Sequence, residues 1–103
     1  MICINVTKVD GKINQLTIKG HSGSAPKGKD IICSAVSAIS QGGCNALENP
    51  KCFAFKCEDG LLDIKVIHEA SIHDYQVLDT ILIQLKSVEE VSKDFVKIVE
   101  KGN

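Results

Sequence analysis

The sequence predicts a two-layer α+β fold: a mixed sheet with two helices on one face, in the order ββα-ββα, with a short final strand. Three observations predict it. Two pairs of apolar-alternating segments are each joined by an acidic residue followed by glycine. Each pair leads into a stretch with apolar residues at helical spacing. The whole chain has 103 residues, which suits one hydrophobic core and a single domain over 1–103.

The first pair begins with Ile2, Ile4 and Val6 alternating with Cys3, Asn5 and Thr7, the pattern of a strand buried on one side. Asp10-Gly11 then marks a tight turn, because hairpin turns need positive φ. Leu16 and Ile18 alternate with Gln15, Thr17 and Lys19 in the returning strand, which ends at Gly20-His21. Residues 22–30 are polar and glycine-rich around Pro26, and read as a long loop. Asp30 is a preferred N-cap, so a helix is predicted from Ile31 to about Leu47, weakened by Gly42 and Gly43 and stopped by Asn49-Pro50.

The second pair places Phe53, Phe55 and Cys57 opposite Cys52, Ala54 and Lys56, then turns at Glu58-Asp59-Gly60. Leu62, Ile64 and Val66 form its partner strand. Ser71-Ile72-His73-Asp74 fits a capping box, and Tyr75, Leu78, Leu82, Leu85 and Val88 recur behind it on one helical face. The run from Phe95 to Glu100 is rich in β-branched residues and is predicted to be a strand.

Composition excludes several classes. A formal net charge of −1 gives no basic field for direct contact with nucleic acid or an anionic membrane. Apolar runs fall short of the roughly 20 residues of a membrane span, and Met1 leads into the first strand without a secretory leader. Five scattered cysteines, at 3, 33, 44, 52 and 57, suit free thiols in a reducing cytoplasm. Their spacing makes no metal site, since Cys52 and Cys57 point to opposite faces of a strand. Cys44 falls on the same helix face as Cys33, about 16 Å away, and reads as core. His68 and His73 read as capping or surface residues. No phosphate-loop ending follows the glycines, and no cofactor is expected.

The chemistry concentrates between Gly20 and Ser37. Cys33 lies in the first turn of the predicted helix, where unpaired N–H groups favour an anion. His21, across the loop, is an imidazole able to take a thiol proton and return it to a leaving amine. Asp30 caps the helix and is a candidate orienter of His21. Ser37, one turn beyond Cys33, shares its face. On residues alone, Cys33 reads more readily as a packing thiol, the usual fate of a free cysteine.

The run Gly-His-x-Gly-x-Ala, followed by Gly-Lys-Asp-Ile-Ile-Cys-Ser-Ala-Val-Ser, resembles the signature of the Prp family, the ribosomal-processing cysteine proteases. Chain length, both hairpins and the leucine-rich second helix fit that family. The resemblance implies a cytoplasmic homodimeric endopeptidase that removes a short hydrophobic, aromatic-bearing N-terminal extension from large-subunit ribosomal protein number twenty-seven. It implies His21 as base, Cys33 as nucleophile, and Gly20, Asp30 and Ser37 as supporting residues. Ser22, Gly23, Ser24 and Gly28 then belong to a substrate loop. Ser22 stands where alanine is common in the family, and Ser24 where an aromatic residue is common. The expected mechanism passes through a thioester, with N–H groups at the helix start, that of Cys33 among them, holding the oxyanion. Two other readings follow from the same residues. One is a non-catalytic ribosome-associated binding module; the other is a thiol-based redox protein, which lacks a resolving cysteine at a usual spacing.

Overall fold

The alternation of Ile2, Ile4 and Val6 builds β1 (Ile2–Val9), and these three side chains are buried while Cys3, Asn5 and Thr7 are exposed. In the computed structural model, which describes residues 1–23, 25, 26 and 30–103, β1 turns through Asp10 and Gly11 into β2 (Lys12–Lys19). Both turn residues have positive φ, 52° and 78°, which matches the right-handed twist of the paired strands. The next elements are α1 (Ile31–Cys44), a short 3-10 turn (Pro50–Cys52), β3 (Phe53–Glu58) and β4 (Leu61–Val66). The chain closes with α2 (Ile72–Val91) and β5 (Val96–Gly102).

The five strands form one mixed sheet in the order β3-β4-β2-β1-β5. The two hairpins join through an antiparallel pairing of β2 with β4, and β5 returns parallel to β1. One face of the sheet contributes Ile2, Ile4, Val6, Leu16, Ile18 and Ile64 to the core. Val36 of α1 and Leu78, Ile81, Leu82 and Leu85 of α2 cover it. The two-layer α+β architecture and the final strand are as the sequence predicts.

Two boundaries differ from expectation. α1 ends at Cys44, before Leu47, because the chain tightens after Gly42-Gly43: Ala46 N–H donates to Gly43 O (2.9 Å) and Leu47 N–H to Cys44 O (3.2 Å), each spanning three residues. Cys52 belongs to the 3-10 turn that precedes β3, with its buried Sγ 3.5 Å from Glu69 O.

The predicted capping box forms only in part. Asp74 N–H donates to Ser71 Oγ (3.1 Å), but the fully buried Asp74 carboxylate turns toward the connection after α1. There it accepts the N–H groups of Glu48 (2.9 Å) and Asn49 (3.0 Å), so it fastens that connection to the start of α2. A buried carboxylate is tolerated only with such partners.

Candidate active site

The site is built at the start of α1. Asp30 adopts an extended N-cap conformation, and its Oδ1 accepts the N–H groups of Ile32 and Cys33, both at 3.0 Å. Those are orphan donors of the first helical turn, and capping them fixes the direction in which α1 leaves the loop. Cys33 is therefore held in the first turn, half-buried, with its backbone pinned by the cap.

Ser22 meets the same cap from the other end of the loop. Its hydroxyl, buried, donates to Asp30 Oδ2, and its backbone N–H donates to Cys33 Sγ at 3.3 Å. Ser22, Asp30 and Cys33 are thus linked to one another, and the carboxylate holds the helix with one oxygen and Ser22 with the other. Gly23 lines an open cavity at the start of α1, whereas Ser24 and Gly28, expected in the substrate loop, lie outside the described residues.

His21 is placed by the sheet. Gly20 follows the last residue of β2, at φ +96°, and donates its N–H to Gly60 O (2.8 Å) in the β3–β4 turn. A Cβ on Gly20 would stand 2.5 Å from Met1 O, so only glycine fits there. The His21 carbonyl accepts from the Met1 amino group (2.7 Å), and its exposed imidazole lies over Gly60. A Cβ at Gly60 would be 3.1 Å from His21 Nε2. The role of Gly60 was not legible in the sequence, where it reads only as a turn residue. The pairing of β2 with β4 brings it under His21.

His21 and Cys33 line one open cavity of about 490 Å³, together with Asp30 and Ser37. Ile18, Val36 and Leu62 give it apolar walls, while Cys57, Glu58 and Gly60 come from the β3–β4 hairpin. Ser37, exposed, lies beyond Cys33 on the cavity side of α1. Among the described residues, no hydrogen bond joins the His21 imidazole to Cys33 Sγ. The described bonds of the Asp30 carboxylate include those to Ser22, Ile32 and Cys33, which give it the capping role.

The N–H groups expected to hold the oxyanion are engaged in the helix cap. The Ile32 and Cys33 N–H groups are already bound to Asp30 Oδ1, and Ser34 N–H donates to Asp30 O (3.1 Å). A carboxylate N-cap competes for the same donors that a substrate oxyanion would need. The N–H directed at the thiol instead belongs to Ser22.

The other thiols sit in different surroundings. Burial pushes the Cys44 thiol up, and the nearby Cys57 adds to the effect. Cys3 and Cys57 are exposed and Cys52 is buried. Among the described residues, Glu48, His73 and Asp74 bring potential metal-ligating atoms within 4.8 Å of one another, away from the cavity. The Asp74 oxygens there are bound to backbone N–H groups, and His73 Nδ1 lies 2.9 Å from Asp74 Oδ1 and 3.2 Å from Glu48 Oε1. No helix among the described residues is long and apolar enough to cross a membrane.

Comparison with known proteins converges on one family. Residues 1–97 match the family model described as cysteine protease Prp. The ribosomal processing cysteine protease Prp of Staphylococcus aureus is 26% identical over 104 residues, covering 95% of this chain and 97% of that protein. The Prp of Mycoplasma genitalium is 49% identical over 43 residues, covering 42% of this chain and 38% of that protein. Among solved structures, the essential ribosomal processing protease Prp of S. aureus, in complex with a covalently linked product peptide, superposes with a TM-score of 0.89. Its sequence identity is 25%, over 98% of this chain and 100% of that one.

Proposed function

We propose that this chain, which belongs to the cysteine protease Prp family, removes the short hydrophobic N-terminal extension of large-subunit ribosomal protein number twenty-seven. Residues 1–103 act as a single protease domain, cytoplasmic and homodimeric, with a peptide as the substrate. The observation that carries the reading is Cys33, fixed in the first turn of α1 and opening onto the same cavity as His21.

Cys33 Sγ attacks the scissile carbonyl carbon while His21 takes the thiol proton. The tetrahedral intermediate collapses as His21 gives that proton to the leaving amine, and a thioester remains. Water, deprotonated by His21, then attacks the thioester; the acid product leaves and the thiol is restored. An extended peptide has room along the cavity, where Cys57 and Glu58 of the edge strand β3 flank it and Ile18, Val36 and Leu62 receive apolar side chains. His21 and Cys33 come within proton-transfer distance when the peptide fills the cavity, as active sites commonly tighten on substrate.

The test is to incubate the extended ribosomal protein with the unsubstituted enzyme, Cys33→Ala and His21→Ala. Removal of the nucleophile is expected to lower cleavage by about 10⁴-fold or more. Undiminished cleavage by Cys33→Ala overturns the assignment.

A further inference from the structure

We infer that Ser22 is a positioning residue for the nucleophile: its hydroxyl, anchored on Asp30 Oδ2, holds its own backbone N–H on Cys33 Sγ, where that N–H stabilises the thiolate. The inference rests on Cys33 being the nucleophile, and adds a role that neither spacing nor the helix cap supplies.

The geometry carries it in three steps. First, Ser22 is 3% exposed although it lies in a loop, so its side chain has an internal task. Second, that task is the bond to Asp30, whose other oxygen caps the helix bearing Cys33. The loop and the helix start are therefore tied to one rigid group, and the Ser22–Cys33 spacing is set by it. Third, the donor that reaches Sγ is the Ser22 main chain, at 3.3 Å. An N–H aimed at a developing sulfur anion is charge-assisted, and stronger than the same bond to a neutral thiol. The N–H groups of Ile32, Cys33 and Ser34 do not substitute for it, because each is bound to Asp30.

The hydroxyl and the N–H have separable contributions. Removing the hydroxyl (Ser22→Ala) frees the loop from the cap while leaving the N–H in the chain. Ser22→Thr keeps a hydroxyl at the same place. Replacing the His21–Ser22 amide by an ester removes the N–H itself and keeps the hydroxyl. The ester is introduced through a synthetic segment covering 1–32, ligated at Cys33 to the rest of the chain.

The experiment is alkylation by iodoacetamide across pH, with modification at Cys33 resolved by peptide mass mapping and folding checked by circular dichroism. It needs no substrate, so its failure is distinct from failure of the proposed cleavage. That reading stands or falls on Cys33→Ala and the extended ribosomal protein. At neutral pH, Ser22→Ala is expected to slow Cys33 alkylation about five- to tenfold, and the ester about tenfold or more. Both differences should close at alkaline pH, where thiols in general are ionised without a stabilising donor, and Ser22→Thr should recover most of the rate. A loss that is the same at every pH would mark a change in access, and overturns the inference. So does an ester variant that matches the unsubstituted protein, which decides the matter even where Ser22→Ala fails to fold.

Discussion

At the scale of single residues, the site depends on side chains that carry no chemistry of their own. Gly60 is the sharpest case. Its φ of +73° disfavours any side chain, and the space its Cβ would take is 3.1 Å from His21 Nε2. Gly60→Ala is therefore expected to cost about 1 kcal/mol of stability through the backbone. It should also lower kcat/KM for peptide cleavage by about two- to fivefold, since the imidazole must give way slightly. Denaturant titration and cleavage kinetics on the same preparation separate the two effects. A variant that loses stability but keeps kcat/KM would show that His21 need not sit over Gly60. Asp30 is the other such residue. The sequence marks it as an N-cap, and it is one; its second oxygen, bound to Ser22, serves a contact eight residues back that no local pattern encodes.

At the scale of elements, α1 and α2 meet where α1 carries Gly43. A Cβ there would lie 2.4 Å from Ile81 Cγ1 and 2.6 Å from its Cδ1, and Ile81 is buried in the core. The sequence reads Gly42-Gly43 only as a weakness in the helix. The packed structure shows that Gly43 also makes room for a neighbour. Gly43→Ala gains about 1 kcal/mol of helix propensity but forces a buried side chain to shift, at about 1–3 kcal/mol. A net loss of about 1 kcal/mol is expected from urea denaturation. Combining it with Ile81→Ala should cost less than the sum of the single changes, because the smaller side chain removes the clash. An additive double variant would mean that the two helices do not touch through this pair.

At the scale of the whole molecule, two hairpins and a final parallel strand share one sheet, and the helices are tied together outside it by Asp74. Burial works against the Asp74 charge, yet the N–H groups of Glu48 and Asn49 and the His73 ring outweigh it and hold its carboxyl below the ordinary value. The bond to Asp74, aided by Glu48 and opposed by desolvation, raises His73 above 6.5. The signs follow from linkage. The Asp74 contribution is present above its unfolded value of 3.8 and is lost as pH falls through the lowered folded value. The His73 contribution is complete below 6.5 and is lost as pH rises through the raised folded value. Urea midpoints at about pH 6 and about pH 9 should accordingly fall further in the unsubstituted protein than in His73→Gln. Equal falls would remove His73 from the balance.

Much of this was legible along the chain because it depends on near neighbours. Alternation fixed β1 to β4, a β-branched run marked β5, and the N-caps Asp30 and Ser71 located both helix starts. Cys33 and His21 stood out by residue type and by the elements flanking them, and the family was recognisable from the motif around them. The helix end at Cys44 and the turn at Cys52 were misplaced because glycine pairs and i→i−3 bonds leave little periodic trace.

By itself, then, the sequence determined the order and type of the elements, the two-layer class and the residues able to do chemistry. Only the tertiary structure decided which of them meet. Pairing of β2 with β4 carried Gly60 beneath His21, the loop closed Ser22 onto Asp30 and Cys33, and burial turned Asp74 away from its own helix toward Glu48 and Asn49. The physical reason is range. Strand alternation and helix caps are set by residues within a few positions, whereas a close contact between distant residues is set by register and packing, which no local pattern contains.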